Sequence, residues 1–141
     1  MFYHPKERAN VEDIVRICSA LGCEVLVIPR TGSKGPVCSL AKCVDNIMEA
    51  MDYVAKCKVI ALETCGSEEA LLKASNEPCL SVILGAEDYG LPKEVIELVK
   101  KMGGYIARIP MSGYGVSYNV VTSLILLLTE IEVLKRDAET R

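Results

Sequence analysis

Three absences narrow the class of protein that this chain can be. The seven cysteines form no C-x-x-C pair and the chain has one histidine, His4, so the spacings of a metal site are missing and no metal is expected. No G-x-x-x-x-G-K-[ST] segment occurs, and no G-x-G-x-x-G follows the first predicted strand. The sequence therefore argues against P-loop and dinucleotide-binding folds.

Long apolar runs are also missing. The first residues, with Pro5 among them, lack the apolar core of a secretory signal, and the most apolar run, 120–128, is about half of what a membrane span needs. We expect that run to be a buried helix, with no membrane contact and a cytoplasmic location. Most of the cysteines lie in apolar segments, which predicts reduced thiols packed as small hydrophobic groups.

Acidic residues are missing from one stretch although the chain as a whole is acidic. The formal net charge is -3, which argues against a protein that coats nucleic acid by bulk charge but leaves local phosphate contacts open. Between Glu24 and Asp45 there is no acid, and Arg30 and Lys34 lie there beside glycines. They are candidate phosphate contacts, and a merely solvated basic loop is the alternative.

Apolar segments alternate between the period of strands and the period of helices. Strands are predicted over 1–3, 24–28, 58–62, 80–84 and 105–109, and helices over 10–22, 40–55, 67–74, 92–103 and 117–136. In the helix over 40–55, Ile47, Met48 and Met51 are predicted to face inward. The pattern indicates one α/β domain over 1–141, with a mostly parallel sheet and helices on both faces.

Glycine-rich turns follow two of these strands, over 84–92 and 109–119. Glycine tolerates positive φ and leaves backbone amides exposed, so a bound molecule can approach closely. Ligands of parallel sheets bind beyond the carboxyl ends of the strands, where both turns lie. The two turns are therefore predicted to share one pocket.

Three blocks carry a resemblance to a known family. They are 10–16 with Leu21-Gly22, 84–87 with Gly90-Leu91, and 109–111 with 117–119. In this order and at these separations the chain resembles the SpoU/TrmH branch of the SPOUT RNA methyltransferases over nearly its whole length. The segment 3–18 is also similar to the small members without extensions that methylate ribose in tRNA.

The resemblance implies a C-terminal trefoil knot, an obligate homodimer and S-adenosylmethionine as cofactor. The cofactor would be lined by residues of the second and third blocks: Leu84, Gly85, Ile109, Met111, Tyr118 and Asn119. The physical alternative is that these residues simply pack the end of the sheet.

Catalytic candidates come from the same resemblance. Arg16 matches the family's arginine that lies near the reacting ribose and that often faces the cofactor of the partner subunit. Because a guanidinium stays protonated, we favour a role in clamping phosphate and stabilising an alkoxide over a role as a base. Glu87 would hold substrate or arginine, or be a solvated loop acid. Ser117 and Asn119 would bind ribose or cofactor, or cap the last helix.

Two further residues leave alternatives open. Asn10 matches the asparagine of the first block, and capping of the first helix explains it equally well. His4 could be a general base, or a partly exposed histidine at a strand end.

The predicted function is transfer of a methyl group to a ribose 2′-hydroxyl of RNA, with tRNA favoured over rRNA. Glu12 and Asp13 stand where small relatives usually carry a Gly-Asn pair, which leaves a catalytically inactive RNA- or ribosome-binding protein as one alternative. A base-nitrogen methyltransferase and dependence on an accessory protein are others. A receiver-like signalling domain is disfavoured because the acidic pocket it needs is missing.

Overall fold

Strands and helices alternate along the residues that the computed structural model describes, 1–110 and 118–140. The strands there are β1 (Phe2–Tyr3), β2 (Leu26–Ile28), β3 (Lys42–Cys43), β4 (Lys58–Ser67), β5 (Leu80–Ile83) and β6 (Tyr105–Ala107). The helices are α1 (Arg8–Leu21), α2 (Lys34–Cys38), α3 (Ile47–Val54), α4 (Glu69–Ser75), α5 (Lys93–Lys101) and α6 (Val120–Glu139).

All strand pairs within this part of the chain are parallel, in the orders β1-β2-β3 and β5-β4-β6. The two groups meet where the Tyr3 amide donates to the Leu84 carbonyl at 2.8 Å and the Leu84 amide donates to the Met1 carbonyl at 2.8 Å. The combined order is β3-β2-β1-β5-β4-β6. The direction of winding reverses between β1 and β5, and such a switch point opens a crevice at the strand ends.

Helices cover both faces of the sheet, as predicted. Along β4, Val59 and Ala61 pack with α3 and α5, whereas Ile60 between them packs with α4 and α6. Along β2, Val27 packs with α1 on the face opposite to that of its neighbours. Side chains of a strand point alternately to its two faces, so a strand apolar at every position is buried on both. The α/β class with a parallel sheet is confirmed.

The predicted helix over 40–55 is wrong in its first half. Residues 42–43 instead form β3, held by the pairing of Cys43 with Val27, and α3 begins only after Asn46, whose side chain accepts from the amides of Met48 and Glu49. Met48 is 57% exposed and not inward, because the buried face of α3 is formed by Ala50, Met51 and Val54. The short helix α2 was not predicted.

The prediction that the cysteines are reduced is wrong for four of them. Disulfides join Cys38 to Cys43 and Cys57 to Cys79, with Cα–Cα distances of 5.5 and 5.1 Å. The second pair arises because β4 and β5 are parallel neighbours, so the residues that precede them lie side by side. Cys18, Cys23 and Cys65 are free thiols.

The last helix, α6, buries Leu124, Leu127 and Ile131 and leaves Ile125 and Val133 exposed. No helix within the described residues is long and apolar enough to span a bilayer.

Candidate functional site

A cavity of about 740 Å³ opens at the carboxyl ends of β4 and β5, beside the switch point. Its apolar walls include Leu62, Leu84 and Val120, and its polar groups come from β4, the start of α1 with the residues before it, the turn after β5 and the start of α6. The volume lies within the ordinary range for small-molecule sites, and a mixed lining of this kind suits a ligand with both an apolar and a polar part.

The turn after β5 is closed on itself. The Ala86 amide donates to the Gly90 carbonyl at 3.2 Å, the Gly90 amide donates back at 2.8 Å, and Gly90 has a φ of +70°. A Cβ on Gly85 would lie 2.6 Å from the Gly90 carbonyl carbon, closer than real side chains come. Glycine is therefore required at Gly85 and Gly90 for this close-packed wall.

Glu87, at the tip of that turn, holds the amino-terminal end of α1. Its two carboxylate oxygens accept from the backbone amides of Lys6 at 2.8 Å and Glu7 at 2.7 Å, and one of them accepts from the Asn10 side-chain amide at 3.1 Å. A carboxylate suits this position because the first amides of a helix have no partner within it and carry partial positive charge. Glu87 is thus an anchor of the cavity wall and not a merely solvated acid.

Asn10 and Asn119 connect the first and last helices across the site. The Asn119 amide donates to the Asn10 side-chain oxygen at 3.3 Å, and the Asn119 oxygen accepts from the Val121 amide at 2.8 Å as the N-cap of α6. Asn119 is therefore both a cap and a cavity residue. The hypothesis that Asn10 caps α1 is wrong, because α1 begins at Arg8 with Glu7 as its N-cap residue.

The two other tip residues of the turn, Asp88 and Tyr89, are fixed by groups after β1 and β2. The Arg30 guanidinium pairs with the Asp88 carboxylate, donates to the His4 carbonyl at 2.8 Å and lies over the Tyr89 ring. The hydrogen bond between Arg30 and Asp88 lowers the pKa of the Asp88 carboxyl and raises the pKa of the Arg30 guanidinium. His4 Nδ1 lies 2.7 Å from the Tyr89 hydroxyl. The pKa of His4 is lowered, mainly by burial and to a smaller extent by the positive charge of Arg30.

Glu63 is a site residue that was not predicted from the sequence. Both Leu62 and Ser67 of β4 pair with Ala107, so the residues between them bulge from the ladder and bring Glu63 to the cavity. Its carboxylate accepts from the Leu91 amide at 2.5 Å and so holds the far end of the turn. The sequence feature that could have indicated Glu63 is the position of an acidic residue directly after the apolar part of a strand.

Not all of the predicted site residues come together. Six of them line the cavity together: Asn10, Leu84, Gly85, Glu87, Tyr118 and Asn119. Ile109 is instead buried with Leu127 and Ile131, while Met111 and Ser117 lie outside the described residues.

The predicted RNA contacts lie outside the cavity lining. The Arg16 side chain is 78% exposed, with Asp13 at 3.7 Å. Arg30 is committed to Asp88, and Lys34 pairs with Asp45 at 2.6 Å.

Several solved structures share this fold. The chain superposes on a Bacillus anthracis protein assigned as an RNA methyltransferase with a TM-score of 0.71 and 23% identity, over 96% of this chain and 92% of that one. A structure described by the 2-OH methylation of C/U34 on tRNA matches with a TM-score of 0.70 and 21% identity, over 99% and 95%.

A third match is the SpoU methyltransferase AviRb of Streptomyces viridochromogenes in complex with S-adenosylmethionine. Its TM-score is 0.68 at 22% identity, and the match covers 98% of this chain but 59% of that one. No curated protein matches the chain significantly.

The family model described as the SpoU rRNA Methylase family matches residues 1–129. The chain belongs to that family, and the resemblance read from its three blocks is confirmed.

Proposed function

We propose that this chain is an S-adenosylmethionine-dependent RNA methyltransferase that modifies a ribose 2′-hydroxyl, in tRNA. The observation that carries the proposal is the cavity at the ends of β4 and β5, where residues of all three blocks meet in a chain of the SpoU family. The match to a structure described by the 2-OH methylation of C/U34 on tRNA supports the ribose as the methylated group and tRNA as the substrate.

The residues of the cavity fit the proposed cofactor. Leu62, Leu84 and Val120 offer apolar surface for a purine, and the close-packed backbone at Gly85 leaves no room for a side chain that would fill the wall. Glu63 and Glu87 supply negative charge near a cationic ligand. When bound, S-adenosylmethionine would supply a methyl group already activated by its positively charged sulfur.

The protein residues then have to position the ribose and stabilise charge on its oxygen. Asn119, fixed by α6 and by Asn10, can hydrogen-bond the ribose or the cofactor carboxylate, and Ser117 is predicted to share that role. In the proposed transfer the ribose oxygen would gain the methyl group of the bound cofactor, the hydroxyl proton would pass to water, and the cofactor would leave as a neutral thioether. No metal is needed for this step, because the electrophile carries its own charge.

We further propose that Arg16 acts in the site of a second subunit. In its own subunit it lies outside the cavity and its side chain is 78% exposed. A homodimer would also cover Ile125 and Val133 on α6, which are apolar and exposed. The C-terminal trefoil knot and the cytoplasmic location that were predicted from the sequence belong to the same proposal.

The test is incubation of the purified chain with isotope-labelled S-adenosylmethionine and unmodified tRNA or rRNA transcripts, followed by nucleoside mass spectrometry. The expected product is a 2′-O-methyl nucleoside from the tRNA pool. Arg16→Ala should abolish transfer and leave cofactor affinity unchanged, whereas Arg136→Ala, with a similarly exposed side chain at 74%, should have no effect.

Two outcomes would contradict the proposal. Methyl groups found on base nitrogens with ribose unmodified would make the chain a base methyltransferase. Cofactor binding with no transfer to either pool would favour the inactive binding protein, with Asp13 beside Arg16 as a reason.

A further inference from the structure

Tyr89 is an exposed aromatic side chain that is nevertheless held in one position. It lies on the rim of the cavity and is 54% exposed. Its hydroxyl is 2.7 Å from His4 Nδ1, the Arg30 guanidinium carbon is 4.8 Å from the ring centre, and the His4 ring meets it edge-on at 87°. An ordinary surface tyrosine has no such set of contacts and keeps its rotational freedom.

The groups that hold Tyr89 are themselves fixed. Arg30 donates hydrogen bonds to the His4 carbonyl and to the carboxylate of Asp88, the residue before Tyr89 in the turn. His4 has a φ of +48° and stacks on the Tyr3 ring at 4.0 Å. A positive φ in a residue other than glycine costs free energy and persists where the surroundings impose it. Three strand exits thus combine to present one ring beside the cavity.

We propose that the Tyr89 ring is a stacking platform for one unstacked base of the RNA substrate, next to the nucleotide whose ribose enters the cavity. This rests on the proposed function. Proteins recognise single-stranded RNA largely by stacking splayed bases on aromatic side chains, and this ring lies at the cavity that would take the ribose. Arg30 covers part of the ring, which leaves the exposed part for the base.

The surroundings favour a nucleotide over a protein partner. Lys6, exposed on the same rim, provides positive charge for a phosphate, and the Arg30 guanidinium lies over the ring. A protein interface would be expected to place such a ring within a contiguous apolar patch.

The test compares three variants with the full chain as it exists. Tyr89→Ala removes the ring, Tyr89→Phe keeps the ring and loses the bond to His4, and Tyr53→Ala removes an exposed tyrosine on α3, outside the cavity lining, that also lies beside a cation, Lys42. The measured quantities are the KM for pooled unmodified tRNA transcripts and the Kd for S-adenosylmethionine.

Tyr89→Ala should raise the RNA KM about tenfold or more, as expected for loss of one stacked base, with cofactor Kd unchanged. Tyr89→Phe should stay within about threefold of the native chain, because the stacking surface remains. Tyr53→Ala should match the native chain. An unchanged RNA KM in Tyr89→Ala would overturn the platform, as would a loss confined to cofactor binding.

If the native chain transfers no methyl group to any RNA, the proposed function fails and the platform is judged by binding alone. Fluorescence anisotropy with the same transcripts then decides: about tenfold weaker binding by Tyr89→Ala supports the platform, and equal binding overturns it.

Discussion

Replacement of Glu87 tests whether the turn after β5 and the first helix are held together as the structure indicates. Glu87→Ala leaves the amides of Lys6 and Glu7 and the Asn10 side chain without their shared acceptor. Loss of a helix N-terminal acceptor costs about 0.5–2 kcal/mol, and hydrogen bonds to a charged group are at the upper end. Water can partly replace an exposed acceptor, so we expect a loss of about 2 kcal/mol in the free energy of unfolding.

Glu87→Gln should lose about half as much, because the glutamine oxygen can accept from one backbone amide while its NH2 group faces the other. Urea unfolding is the assay, and the alanine variant should shift the midpoint down by about 1 M at an unchanged slope. Glu97→Ala, an exposed glutamate on α5, is the control and should leave the midpoint in place. Equal midpoints for the native chain and Glu87→Ala, or a glutamine variant as unstable as the alanine variant, would show that the Glu87 carboxylate does not hold the turn to α1.

Three further predictions concern glycine packing, pH and thiols. Gly85→Ala should destabilise the fold by about 1–3 kcal/mol in urea unfolding, because its Cβ would meet Gly90 backbone, whereas Gly35→Ala, with no heavy atom within 4 Å, should be neutral. The pKa of His4 is lowered from 6.5 in the folded chain, so the unfolded chain binds a proton at His4 first as the pH falls. The free energy of unfolding should therefore decline below about pH 6.5, and it should decline less in His4→Asn. Urea midpoints at pH 5.5 and 7.5 measure the difference. Titration of the denatured protein should find three thiols before reduction and seven after it, and seven before reduction would contradict the two disulfides.

Elements with a continuous apolar signal were predictable from the sequence. The run around Val27 is apolar at every position because both faces of β2 are covered, and Gly22 ends α1 with a φ of +73°. The failures are elements set by distant contacts. The two residues of β3 form a strand because they pair with β2, and β4 continues to Ser67 because its bulge packs Gly66 against Ala107.

The site followed the same division. Positions such as Gly85 and Asn119 could be found because their residue types meet a local backbone requirement as well as matching the family blocks. Partners of charges could not be found, since nothing local relates Arg30 to Asp88 or Glu63 to the Leu91 amide. The interpretation of Arg30 as a phosphate contact stays a prediction, and the structure assigns that side chain to holding the turn.

The most direct test of the central claim is mass spectrometry of nucleosides from the tRNA of cells that lack this chain. We expect one 2′-O-methyl nucleoside to disappear, to return with the native chain and not to return with Arg16→Ala. An unchanged ribose-methyl profile, or the loss of a base-methylated nucleoside in its place, would contradict it.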